Sequence, residues 1–135
     1  MIFWVNPQVI REMAVYKVYK DSDLKVQLSL KDSESRPYRV MDTVKFVIRF
    51  FTTNENEFIE ASYIHGQSVN LETGEHYDHA VFSRENLKKL KDGAIYYSYE
   101  VTLIDAGGKD YLFKETVKGQ TEMILKTRIK YVKQH

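Results

Sequence analysis

The sequence predicts an all-β fold, an immunoglobulin-like antiparallel β-sandwich with one short helix before a late strand. Three observations carry that expectation. Apolar and polar residues alternate strictly over several runs, which is the period of a half-buried strand. About seven such runs recur at roughly 8–12-residue spacing, separated by turn-forming residues. The chain also holds seven phenylalanines and ten tyrosines, and aromatic side chains pack well on a pleated surface. An open barrel satisfies the same three observations.

Taken in order, "MAVYKVYK" near residue 15 is a weak first strand of the sandwich. "DLKVQLSLKD" is stronger, with Leu24, Val26, Leu28 and Leu30 on one face and Lys25, Gln27, Ser29 and Lys31 on the other. "KDSESRPY" is a polar loop. "TVKFVIRFFT" sets Val44, Phe46, Ile48 and Phe50 against Lys45, Val47, Arg49 and Phe51, so both faces are apolar enough for a central position. "EFIEASYI" around residue 60 is a weaker strand, and "NLETGEHYD" a second polar loop. Ser83 is placed to cap a turn or two of helix over Arg84 to Leu90, and Gly93 to supply a left-handed stop. In "AIYYSYEVTLI", Ile95, Tyr97, Tyr99, Val101 and Leu103 share one face, which leaves Tyr96 pointing the other way beside Ser98 and Glu100. "DAGGKD" is a hairpin turn, and "YLFKETV" and "TEMILKTRIKYV" are two final strands.

The 135 residues suit one domain, expected over 13–135 behind an N-terminal arm over 1–12. A 43% hydrophobic and 29% charged composition can bury a core. The net charge of +1 draws the chain to neither nucleic acid nor anionic lipid. With no cysteine, disulfides, thiolate metal sites and cysteine nucleophiles are excluded together. The opening "MIFWVNPQVIREM" has no basic n-region and too short an apolar run for a signal peptide, and no run reaches membrane-spanning length. The expectation is a cytoplasmically made protein that enters no membrane.

Motifs for catalysis are missing: no G-x-S-x-G elbow, no phosphate-binding glycine loop and no H-E-x-x-H. No enzyme activity and no cofactor are expected. "GEHYDHA" brings His76 and His79 together with Glu75 and Asp78, eleven residues after His65. Imidazoles and carboxylates ligate divalent metals, but an i, i+3 spacing does not put both histidines on one face of a strand. A solvated loop entering a strand at Ala80 is the expected state, with no metal. The basic runs "LKKLK" (Lys88, Lys89, Lys91) and "KTRIKYVK" (Lys126, Arg128, Lys130) read as edge protection more than as a nucleic-acid stripe. Interface candidates are Phe3, Trp4 and Val5 in the arm, and Phe51 and Tyr96 on the less apolar faces of their strands, because tryptophan and tyrosine are enriched at interface anchors.

The order of these features resembles the N-terminal β-sandwich domain of phage baseplate upper proteins and related tail-associated modules. The matching elements are Leu30-Lys31-Asp32, Val44-Lys45-Phe46, Leu90-Lys91-Asp92-Gly93, Tyr97-Ser98-Tyr99 and Gly119, spread over roughly residues 15–130. The resemblance implies a non-enzymatic structural or adaptor subunit of a virion or tail assembly, bound to other structural subunits or to copies of itself. It carries no catalytic residues, and with the sequence closing at His135 it implies an adaptor or decoration role without a receptor-binding fibre. The alternative is a carbohydrate-binding module using Tyr63, Tyr77 and Tyr96 as a coplanar row of exposed rings.

Overall fold

The computed structural model describes residues 2–4, 16–104 and 112–128; of residues 2–4, 104 and 112–113 only the backbone course is described. Two separate sheets face each other, so the fold is a sandwich and not a barrel. The first holds β1 (Ile2–Trp4), β3 (Leu24–Lys31), β9 (Asp78–Phe82) and β8 (Leu71–Thr73) in that order, with β4 (Pro37–Tyr38) also paired to β3. The second runs β2 (Tyr16–Tyr19), β11 (Leu112–Lys126), β10 (Gly93–Ile104), β5 (Thr43–Phe51), β6 (Ile59–Ile64) and β7 (Gln67–Val69). This is the partition of a variable-type immunoglobulin sandwich, ABED against GFCC′C″, with β2 added beside the last strand. The β2–β11 pairing is parallel, the one departure among the described strands from the antiparallel expectation.

Alternation produces the core as expected. Val26, Leu28 and Leu30 from β3, Phe46, Ile48 and Phe50 from β5, and Ile95, Tyr99, Val101 and Leu103 from β10 are buried between the sheets. Phe50 meets Phe82 edge to face at 5.5 Å, and Phe46 lies 5.8 Å from Tyr99. Val44 departs from the pattern. Thr102 pairs with Lys45 while Leu103 pairs with Thr43, so Val44 is the extra residue of a bulge, and Thr43 takes the buried place.

The two expected final strands are one strand of fifteen residues, β11, running through Gly119. A glycine inside a strand normally weakens it. Here Tyr97, directly opposite, lays its ring over the bare backbone: a Cβ added at Gly119 would stand 2.5 Å from the Tyr97 hydroxyl. That covering makes glycine the fitting residue there and lets the strand continue. Near the start of β10 the register shifts between Ala94 and Tyr96, and the buried Thr121 hydroxyl donates to the Ile95 carbonyl at 2.7 Å.

Ser83 caps the helix α1 (Arg84–Leu87), its Oγ accepting from Asn86 N at 3.3 Å. The helix stops at Lys88, short of Gly93, whose φ of +145° serves instead to enter β10. The polar loop expected at 70–78 is partly strand, since Leu71–Thr73 pairs with β9 and β9 already begins at Asp78. The hairpin turn expected at 105–110 lies outside the described residues, but the strands on either side pair as a hairpin, Ile104 opposite Leu112.

Candidate interaction surface

The outward face of the six-stranded sheet is built by the residues the alternation leaves over. Cross-strand pairing sorts them into rows. Gln120, Tyr96 and Phe51 form the first; Lys118, Ser98, Arg49 and Glu60 the second; Thr116, Glu100, Val47 and Ser62 the third; Lys114, Thr102, Lys45 and Ile64 the fourth. Two of the predicted interface residues thereby meet. Phe51 and Tyr96 stand directly opposite on β5 and β10 and stack with centroids 5.9 Å apart and planes 18° from parallel. Tyr96 remains 37% exposed.

Charged residues surround that pair. Arg49 donates to Glu60 at 2.8 Å and lies over the Phe58 ring, 4.3 Å from its centroid. Glu55, in the loop after β5, reaches Lys118 on β11 at 2.6 Å. The stacked rings are thus bordered by the ion pairs Arg49–Glu60 and Lys118–Glu55. Beside them Lys45, Val47, Arg49, Ser98, Glu100 and Thr116 line a trough of about 210 Å³.

The remaining predicted interface residues are placed as follows. Phe3 and Trp4 lie in β1, which adds antiparallel to the edge of β3 with Phe3 opposite Leu28; Val5 lies outside the described residues. The three tyrosines of the carbohydrate reading are not brought together. Tyr63 pairs with Phe46 and packs against the core, Tyr77 projects from the β8–β9 turn, and only Tyr96 stands on the outer face. A coplanar row of those rings is therefore not formed. Of the basic run at the end, Arg128 donates to Asp21 at 2.9 Å and covers Tyr19 beyond the end of β11, while Lys130 lies outside the described residues.

Around the predicted histidine loop, the structure corrects the expectation of a wholly solvated segment. Asp78 is 1% exposed. Arg39 grips it with Nε at 3.1 Å and Nη2 at 2.9 Å, and the Val40 N–H donates to it at 2.8 Å. The same guanidinium donates to the Gly74 and Glu75 carbonyls. Hydrogen bonding to Asp78 pushes the Arg39 pKa up further. His79, on the opposite face of β9, has its pKa lowered by burial and by Lys25 nearby, so its imidazole is neutral at pH 7. No cluster of three or more potential metal ligands forms among the described residues.

Two further polar atoms sit inside the sandwich near this end. The Tyr38 hydroxyl and Glu115 Oε2 are shut off from water without a hydrogen bond of good geometry. Burial raises the pKa of Tyr38, and raises that of Tyr99, whose hydroxyl interacts with it, to about 12. Glu115 stands opposite the buried Val101, on the inward-facing side of β11.

Compared with known proteins, the chain matches no protein-family model, no curated protein and no solved structure.

Proposed function

We propose that the chain is a non-enzymatic structural or adaptor module that works through protein–protein contacts, as a subunit of a phage-type virion or tail assembly. The observation that carries the contact reading is the stacked Phe51–Tyr96 pair. Strands from distant parts of the chain deliver two rings to one outward-facing point, where charged side chains surround them. Aromatic anchors of this kind supply most of the binding energy of interfaces, and the polar rim around them excludes water. The phage-particle part rests on the resemblance of the late helix–strand–hairpin sequence.

The test is co-expression with the polypeptides encoded beside it, followed by native mass spectrometry. The double variant Phe51→Ala/Tyr96→Ala is expected to remain folded by circular dichroism and to lose its partner or its self-association. Assembly unchanged by that double variant rejects the surface. The particle assignment fails if purified particles from the source lack this polypeptide.

A further inference from the structure

The outer face of the six-stranded sheet carries a second feature, in the rows the aromatic pair does not occupy. Four cations stand at the corners of a rectangle: Lys118 and Arg49 at one end, Lys114 and Lys45 at the other. Pairing places Ser98 directly between the first two and Thr102 between the second two, while Thr116, Glu100 and Val47 cross the middle. Two strand spacings and four residues of rise make the rectangle roughly 10 Å by 14 Å between backbones.

The charges around it are unequal. Glu100 lies within, 3.7 Å from Lys45, and Glu60 and Glu55 hold Arg49 and Lys118 from outside. The four cations therefore outnumber their three neighbouring carboxylates on a chain whose net charge is only +1. Arg49 is held through Nε, which leaves its two Nη groups as further donors. Between the cations the floor is an apolar Val47, hydroxyls and one carboxylate acceptor, and the Tyr96 ring stands at one end.

We propose that this rectangle binds a segment of acidic polysaccharide, with carboxylate or sulfate groups on the corner cations and sugar hydroxyls on Ser98, Thr116 and Glu100. Cations spaced along two strands suit a chain whose charges recur along its length. A mixed donor and acceptor floor suits hydroxyl groups, which both donate and accept. A single-stranded nucleic acid would instead need a succession of exposed rings for its bases, and this face exposes chiefly Tyr96. The site does not depend on the structural-module reading, since Phe51→Ala/Tyr96→Ala tests that reading and lysine variants test this one.

Calorimetry and amide NMR on the full chain at low salt decide it, using oligogalacturonate, dextran sulfate, unsulfated dextran and a single-stranded DNA oligonucleotide. Binding of either acidic polysaccharide is expected, with shifts centred on residues 45–49, 98–102 and 114–118 and weakening as salt rises. Whether oligogalacturonate or dextran sulfate binds better distinguishes carboxylate from sulfate as the natural group. Lys114→Gln/Lys118→Gln should lose at least about tenfold in affinity, as expected when phosphate-like charge contacts are removed. Lys88→Gln/Lys89→Gln, on the exposed turn after α1, should change nothing. Failure of both acidic polymers to bind, equal binding of unsulfated dextran, binding of DNA alone, or equal loss in the two lysine double variants would each overturn the proposal.

Discussion

The two ends of the sandwich are each tied by one aspartate, and the two ties are built on opposite principles. At the end where β3 runs into β5, Asp78 is buried and gripped by Arg39 through two nitrogens, with the Val40 N–H as a third donor. At the other end, where β10 begins, Asp92 has a side chain 49% exposed and gathers Lys20 at 2.8 Å, the Thr127 N–H at 2.9 Å and the Thr127 hydroxyl at 2.8 Å. Each joins segments distant in sequence by three charge-assisted contacts. The difference is water. A dry carboxylate depends entirely on its partners, because removing them strands a charge in low dielectric, whereas a wet one falls back on solvent.

Breaking the dry tie should give the largest effect. Asp78→Ala leaves the buried Val40 N–H and the part-exposed Arg39 guanidinium without their acceptor and should cost about 2–4 kcal/mol in denaturant unfolding. Replacing both partners, as Asp78→Leu/Arg39→Met, should recover part of that loss, since the guanidinium is then no longer left without its acceptor. A double variant as unstable as Asp78→Ala would show that the Gly74 and Glu75 carbonyl contacts of Arg39, and not the ion pair, hold this end.

Between the two ends, the long hairpin depends on shape and not charge. Gly119→Ala should destabilise by about 1–3 kcal/mol, because the new Cβ would overlap the Tyr97 ring. The obstacle is the far end of a side chain, so Tyr97→Leu in the same chain should remove most of that penalty. Additive costs in the double-mutant cycle would mean the two residues do not restrain each other.

The residues behind these effects differ in how far the sequence discloses them. Alternation placed Leu28, Phe46, Ile48, Tyr99 and Val101 correctly, because a period of two is a local property of the chain. It also set Phe51 and Tyr96 outward, though not opposite each other, since register follows from turns and bulges along both strands. The same rule carried a warning that polarity hides: Asp78 shares its face with Ala80 and Phe82, and so belongs to the core side of β9. Its partner Arg39 is 39 residues away, just past a loop that reads as solvated. The Tyr97–Gly119 covering is equally non-local, which is why β11 reads as two strands. Charge pairing across strands, such as Arg49 with Glu60, leaves no sequence pattern at all.

Alkali should act on the dry end first. In the fold Tyr99 keeps its proton up to about pH 12, and Tyr38 holds its own still higher, both chiefly through burial. The unfolded chain gives those protons up near pH ~10. Stability is therefore whole below about pH 10 and declines as pH rises toward and past 12, since the unfolded state loses protons that the folded state keeps. Tyr38→Phe should flatten that decline in a series of denaturant melts. An unchanged slope would place the alkaline sensitivity elsewhere.

Acid should report on the wet end, and more gently. Hydrogen bonds from Lys20 and Thr127 hold the Asp92 pKa down to about 2, against 3.8 for an unperturbed aspartate. Its contribution is present above the unfolded value and disappears as pH falls from about 4 through 2, because the unfolded chain takes up the proton first. Asp32, lowered by the Arg36 N–H and its guanidinium, titrates in the same direction, so the Asp92 share must be read by difference. Asp92→Asn should leave the acid dependence shallower while changing the pH 7 melt only slightly. Added salt should shrink what is left, since exposed charges are screened within about 8–10 Å at moderate ionic strength. If Asp92→Asn were as costly at pH 7 as Asp78→Ala, exposure would not be what separates the two ties. The coupling of β2, β10 and β11 through Lys20 and Thr127 would then be as cooperative as the buried clamp at the opposite end.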